Sequence, residues 1–230
     1  MMVHEREVLV PIDRGLALSG TLAVPDEASA IVVFAHGSGS SRLSPRNRHV
    51  AAVLRRAGLA TLLVDLLTEA EEEQELFTRH LRYDIELLAN RLIGSARWVG
   101  TESETEHLAV GYFGASTGAA AALVAAVVDP HQVSAIVSRG GRPDMAGGAL
   151  SQVRAPTLLI VGGADHGILD QNEDAFDRLR TEKRLEIVPG ATHLFEEPGA
   201  LDCVANLACQ WFTEHLVPAR REWSGADQWP

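Results

Sequence analysis

The chain has 230 residues, 46% of them hydrophobic, and a formal net charge of −11. That length and apolar content suit one domain, 1–230, with a full core, and the acidic balance argues against nucleic acid or an anionic membrane surface as a partner. The longest apolar run, Ala119 to Val128, is 10 residues, too short to cross a bilayer. The charged start, Met1 to Glu7, lacks a secretory core. Cys203 and Cys209, the only two cysteines, fall on one predicted helix and face different ways. A disulfide is therefore not expected, and a reducing cytoplasm is the expected setting.

Glu7–Ile12 and Leu16–Val24 read as short strands around a turn at Asp13-Arg14-Gly15. Ala30–Ala35 is a continuous apolar run, the mark of a strand covered on both faces, and it opens into His36-Gly37-Ser38-Gly39. Ser44 as N-cap, Pro45 at the first helical position and Gly58 past the last turn bracket a helix. Ala60–Val64 is the next buried strand, so strand, helix and strand imply a right-handed crossover and a parallel sheet. Leu66–Gln74 is an acidic connector, expected as a solvated loop or helix start. Phe77, Leu81, Ile85, Leu88 and Leu92 recur at helical spacing and predict one long amphipathic helix to about Gly94. Further strands are expected at Val133–Val137, Pro156–Val161 and Arg184–Val188. A short helix around Ala175, Phe176 and Leu179 separates the last two. A closing helix buries Leu201, Val204, Ala205, Ala208, Trp211, Phe212 and His215. The sum is an α/β fold: eight strands in a mostly parallel twisted sheet, helices on both faces, and a polar tail, 217–230, carrying Trp223 and Trp229.

The most informative stretch is Leu108 to Gly118, an apolar strand running into Gly114-Ala115-Ser116-Thr117-Gly118 and then a small-residue helix, Ala119 to Val128. Gly-x-Ser-x-Gly between strand and helix is the nucleophile elbow. Only small residues fit beside so tight a turn, and the serine is pushed above the sheet at a helix N-terminus that favours negative charge.

A serine hydroxyl needs a base, most often an imidazole oriented by a carboxylate. Chemistry in an open parallel sheet sits at the carboxyl ends of strands. There His193 follows the last strand, and Asp165 follows the strand before it, giving the chain order Ser, Asp, His. Asp170 is the reserve carboxylate, and His166 is read as a solvent-facing neighbour. The Thr117 and Ser38 amides are the expected oxyanion donors, with His36 bracing the loop. Arg139 and Arg142 flank a double glycine at a strand end and could clamp a substrate carboxylate, with Arg42 and Arg46 near the oxyanion loop. The plainer alternative is surface arginines that balance an acidic protein.

These motifs resemble the α/β-hydrolase fold and, within it, the dienelactone hydrolase-like group. The likeness runs from His36-Gly37-Ser38-Gly39 through Gly114-Ala115-Ser116-Thr117-Gly118 and Asp165 to His193. It implies a minimal lid and ester hydrolysis through an acyl-serine, without a cofactor. Dienelactone hydrolase proper carries cysteine where this chain has Ser116, which favours a general carboxylesterase. Acyltransferase, thioesterase or peptidase activity on the same fold would share the triad. A non-catalytic scaffold has no need of an exposed serine. A dinucleotide-binding unit, Gly37-Ser38-Gly39 with Asp65 on the ribose, conflicts with Arg42 where small residues are required and with a helix delayed to Pro45. No His-Glu-x-x-His is present and neither cysteine has a ligand neighbour at metal-site spacing, so no metal is expected. The expected partner is a small-molecule ester; a homodimer is left open.

Overall fold

The N-terminal strands β1 (Val3–Asp13) and β2 (Leu16–Pro25) pair antiparallel and bury alternate residues over most of their length, among them Val8, Val10, Leu18 and Leu22, until β2 becomes continuously buried from Leu22 to Pro25. The alternation is the pattern of strands wetted on one face. The strands that follow are different: β3 (Ala30–Ala35) and β4 (Leu59–Val64) bury every residue. The remaining strands are β5 (Ala109–Ala115), β6 (Ala135–Arg139), β7 (Thr157–Gly162) and β8 (Lys183–Val188). Among the described residues the sheet has eight strands in the order β1-β2-β4-β3-β5-β6-β7-β8, parallel from β4 to β8. This computed structural model describes residues 2–13, 15–78 and 80–217. Arg14 and the tail from 218 onward, with both of its tryptophans, lie outside the described residues.

Helices cover both faces. α1 (Pro45–Arg56) and α6 (Ala200–Leu216) pack on one, burying Val50, Leu54, Val204, Ala208 and Phe212 against Phe34 and Phe113. The other is covered by α3 (Ile85–Val99), α4 (Thr117–Val128) and α5 (His166–Arg178). α1 starts as its sequence requires: Ser44 Oγ accepts the Asn47 N–H, and Pro45 takes the first position. Because β3, β5, β6, β7 and β8 run in the same sense, their carboxyl ends share one edge, where the five site-bearing loops meet. Among the described residues, no helix is long and apolar enough to cross a membrane.

Between β4 and α3 the acidic connector takes one of its two expected forms, a helix start, and the long helix departs from expectation. The acidic connector is a helix, α2 (Glu69–Thr78), begun by a capping box: the Thr68 N–H donates to Glu71 Oε2 at 2.7 Å while Thr68 Oγ1 accepts the Glu71 N–H at 3.3 Å. The long helix expected from Phe77 is interrupted. A single 3-10 turn, Leu81–Tyr83, follows α2, and α3 restarts at Ile85 with Asp84 Oδ1 capping the Leu87 N–H at 3.0 Å. Phe77 ends 88% exposed, while Ile85, Leu88 and Leu92 are buried.

Glu75, read as part of a solvated run, is 0% exposed. It accepts the backbone N–H groups of His80, Leu81 and Arg82 and the Arg82 Nε–H. Those donors hold the chain in a turn where helical periodicity alone would continue.

Burial alone would raise the Glu75 pKa; the N–H groups of Leu81 and Arg82, the Arg82 guanidinium and the Thr78 hydroxyl outweigh it and hold the carboxyl at about 2. A folded pKa below the ordinary 4.5 means stability that is complete above about 4.5 and lost as pH falls toward 2. Glu75→Gln should therefore lower Tm at pH 7, with the gap to wild type closing across that acid window in calorimetric scans. A gap independent of pH would show that the charge does not hold the turn.

Candidate active site

Ser116 sits between β5 and α4 at φ 51°, ψ −121°, a conformation that costs a non-glycine residue about 1–3 kcal/mol. The elbow is held from both sides: the Ser116 N–H donates to Arg139 O at 3.3 Å, and the Arg142 N–H donates to Ser116 O at 3.1 Å. Its flanking residues are glycines for reasons of space. A Cβ on Gly114 would strike the α4 backbone at Ala119, and one on Gly118 would strike the carbonyls of Ala35 and His36. α4 begins at Thr117, two residues earlier than its apolar run implies, so the Thr117 N–H is a first-turn donor with no intrahelical acceptor.

His193 follows β8 in a tight turn. The Phe195 N–H donates to Thr192 O at 3.1 Å, and Glu197 Oε1 accepts both the Thr192 N–H (3.0 Å) and hydroxyl (2.6 Å). The Thr192 hydroxyl is the main reason the Glu197 carboxyl lies below its ordinary value. Asp165 occupies the position before α5, which starts at His166 and is longer than expected. A residue there would ordinarily cap the helix with its side chain. Instead the Asp165 carboxylate turns to the imidazole, and His193 Nδ1–H donates to its Oδ2 at 2.7 Å. That bond leaves Nε2 as the basic nitrogen. The two loops are also tied by main chain, the Ala164 N–H donating to Ala191 O at 2.9 Å. Asp170 and His166 are exposed and stand apart from this pair.

Ser116 and His193 face a cleft of about 360 Å³ whose other walls include Gly37–Ser40, Arg46, Arg139 and Leu194. On the loop after β3, buried His36 accepts the Leu66 N–H at Nε2 (3.0 Å), so its Nδ1–H donates to Gly37 O (3.0 Å). Burial lowers the His36 pKa and keeps it neutral, a brace with no proton to exchange. The Ser38 N–H is engaged: it donates to Thr117 Oγ1 at 3.0 Å, linking the two expected oxyanion donors to each other. Asp65, the acid a dinucleotide reading needs, is occupied by Arg42, whose N–H and Nε approach its two oxygens at 2.6 and 3.2 Å.

The expected pair of arginines is divided. Arg142 forms a two-pronged bond with its neighbour Asp144, at 2.9 and 2.8 Å, and lies outside the cleft lining. Arg139 is buried in the cleft wall; its Nη2 donates to Asn47 Oδ1 at 3.1 Å, and its guanidinium stands 6.0 Å from the Phe195 ring. No carboxylate among the described residues pairs with it. Burial, and then the charge of Arg46, bring its pKa down to about 10. Arg46, paired only at its rim with Glu196 (3.3 Å), is the second arginine of the cleft, and the Nε atoms of Arg46 and Arg139 are both buried without a partner. Asn47 had no distinguishing mark in the sequence, since only the packing of α1 brings it to Arg139.

Sheet order, elbow and the position of the histidine after the last strand define an α/β-hydrolase fold. Residues 18–217 match the family description "Dienelactone hydrolase family", and the chain belongs to that family. The crystal structure of a dienelactone hydrolase from Anabaena variabilis is 59% identical, with a TM-score of 0.91 over 94% of this chain and 100% of that one. Est1E from Butyrivibrio proteoclasticus shares the fold at 14% identity, TM-score 0.76, over 90% of this chain and 98% of that one. Two Mycobacterium tuberculosis proteins with the provisional description phosphoribosyl transferase are 58% identical over 199 residues, 86% of this chain. The matched part is 44% of their length, so the chain spans less than half of these curated relatives.

The glycines permit a paired test. Gly118→Ala drives a methyl into two carbonyls that cannot yield, and should cost about 3 kcal/mol or more in urea unfolding. Gly167→Ala, in α5 with open space around it, should stabilise by about 0.5–1 kcal/mol. Equal effects would mean that backbone approach at the elbow is not limiting.

Proposed function

We propose that this chain hydrolyses small carboxylic esters through an acyl-enzyme on Ser116, with His193 as base and Asp165 orienting it. The observation that carries the proposal is the 2.7 Å Nδ1–H bond from His193 to Asp165, in an imidazole that faces the same cleft as the strained serine. Nε2 takes the Ser116 proton as Oγ attacks the ester carbonyl, then returns it to the leaving alcohol. Water, deprotonated by the same nitrogen, releases the acid. The Thr117 N–H serves the oxyanion directly. The Ser38 N–H serves it by exchanging the neutral Thr117 hydroxyl for a charged acceptor, which forms the stronger bond. The phosphoribosyl transferase description belongs to relatives more than twice the matched length; hydrolysis is the reading for the part this chain represents. A reducing cytoplasm belongs to the same reading, in keeping with the free thiols of Cys203 and Cys209.

Arg139 gives the substrate a preferred charge. A buried guanidinium with an unmet N–H and a second arginine beside it favour an ester that carries its own anionic group. Arg46 replaces Arg142 as the partner in this role.

A fluorophosphonate probe should label the wild type, and Ser116→Ala should abolish both labelling and ester turnover. His193→Ala and Asp165→Asn should each lower kcat about 10⁴-fold. An unlabelled wild type, inert on a panel of p-nitrophenyl esters, would sink the proposal. For the anionic subsite, Arg139→Ala should raise KM about 10-fold or more for hemiesters of dicarboxylic acids and leave neutral esters unchanged. Equal losses on both would remove that role.

A further inference from the structure

Ser116, His193 and Arg139 share the cleft with Gly37–Ser40, and the same loop is bordered by a second group of residues, centred on Arg82, that the hydrolysis does not use. The loop turn is closed by the Ser40 N–H on Gly37 O at 3.1 Å, and its tip is Gly39, exposed, at φ 71° and without a side chain to anchor it. Against that tip lies Arg82, with Nη1 3.7 Å from where a Cβ of Gly39 would stand. Arg82 lines a small pocket with His36, Ser38 and Thr117, and it also lines the open cleft beside Ser40 and Arg46. Arg82 therefore borders two spaces that the loop also lines.

Arg82 is itself held. Its Nε–H donates to Glu75 Oε2 at 2.9 Å and its Nη2 to Glu72 Oε2 at 3.3 Å. Glu75, fully buried, also receives the N–H groups of His80, Leu81 and Arg82 and the Thr78 hydroxyl. Moving that carboxylate would strand several donors at once, so the arginine rests on a rigid seat.

We propose that Arg82, seated on Glu75, is a positioning residue for the loop whose amides receive the oxyanion. The inference rests on the ester-hydrolase reading and extends it to Glu72, Glu75 and Arg82, which set the loop's angle over Ser116. Without Arg82 the Gly39 tip loses its outer wall, and the Ser38 amide is no longer delivered to the reacting carbonyl at the right angle.

The test compares wild type, Arg82→Ala, Arg82→Lys and Glu75→Gln as full chains, each well below its own Tm. It measures kcat and KM on p-nitrophenyl acetate, and the rate of fluorophosphonate labelling. R82A should lower kcat about 10- to 100-fold with KM within about 2-fold of wild type, since small misplacements of catalytic groups have effects of that size. Labelling should slow in parallel, because the phosphonyl oxygen occupies the same donors. R82K keeps the charge but loses the fork and should recover only part of the rate, and E75Q should fall between. Should R82A fail to fold, Arg82→Gln supplies the same comparison. A lowered Tm with wild-type kcat and labelling would overturn the proposal, as would a raised KM with kcat unchanged. A wild type that neither turns over ester nor takes the probe would instead overturn the hydrolase reading.

Discussion

At the centre of the molecule the backbone of α4 passes so close to β3 and β5 that there is no room for a side chain at Gly114 or Gly118. Everything at the site follows from that approach. It forces Ser116 to a positive φ at the mouth of the cleft and leaves the first N–H of α4 without an intrahelical acceptor. The strain is held by two main-chain bonds, to Arg139 O and from Arg142 N. At about 1 kcal/mol each, two such bonds are of the same order as the strain they oppose. A turn of this kind is stable only because β6 lies alongside, in register with β5.

Charge is distributed against the average of the chain. The protein carries a net −11, yet among the described residues Arg139 in the cleft wall pairs with no acid and Arg46 pairs with Glu196 alone. Beside Arg82 the opposite arrangement occurs, where Glu75 is buried and saturated with donors. A saturated buried charge rigidifies its surroundings, while an unsaturated one carries a desolvation cost that no partner offsets. The two histidines at strand ends divide in the same way. His36 spends both nitrogens on main chain and is locked neutral, whereas His193 spends one on Asp165 and keeps the other.

The segment after β4 shows where periodicity misleads. Phe77, Leu81, Ile85, Leu88 and Leu92 fit one helical stripe, but the run crosses Asp84, an N-cap residue, and follows Glu75, whose carboxylate captures three successive N–H groups. Two local signals were readable there, the Thr68–Glu71 capping box and the aspartate before Ile85. The burial of Glu75 was not, because nothing in a run of glutamates says which one the chain will fold over.

The strands, the mostly parallel sheet and the elbow sequence were legible in the residues alone, and the chain order Ser116, Asp165, His193 is an expectation from the same pattern. Each depends on local pattern: buried runs, caps, and a glycine-spaced turn that tolerates few alternatives. Packing decided the rest. Arg142 turned to Asp144 two residues away, Arg46 came to Arg139 from a helix more than 90 positions earlier, and the Ser38 amide found the Thr117 hydroxyl across the loop. Such partners are chosen by distance in space and by which donors remain unmet after the backbone is satisfied, and neither quantity exists until the chain has folded.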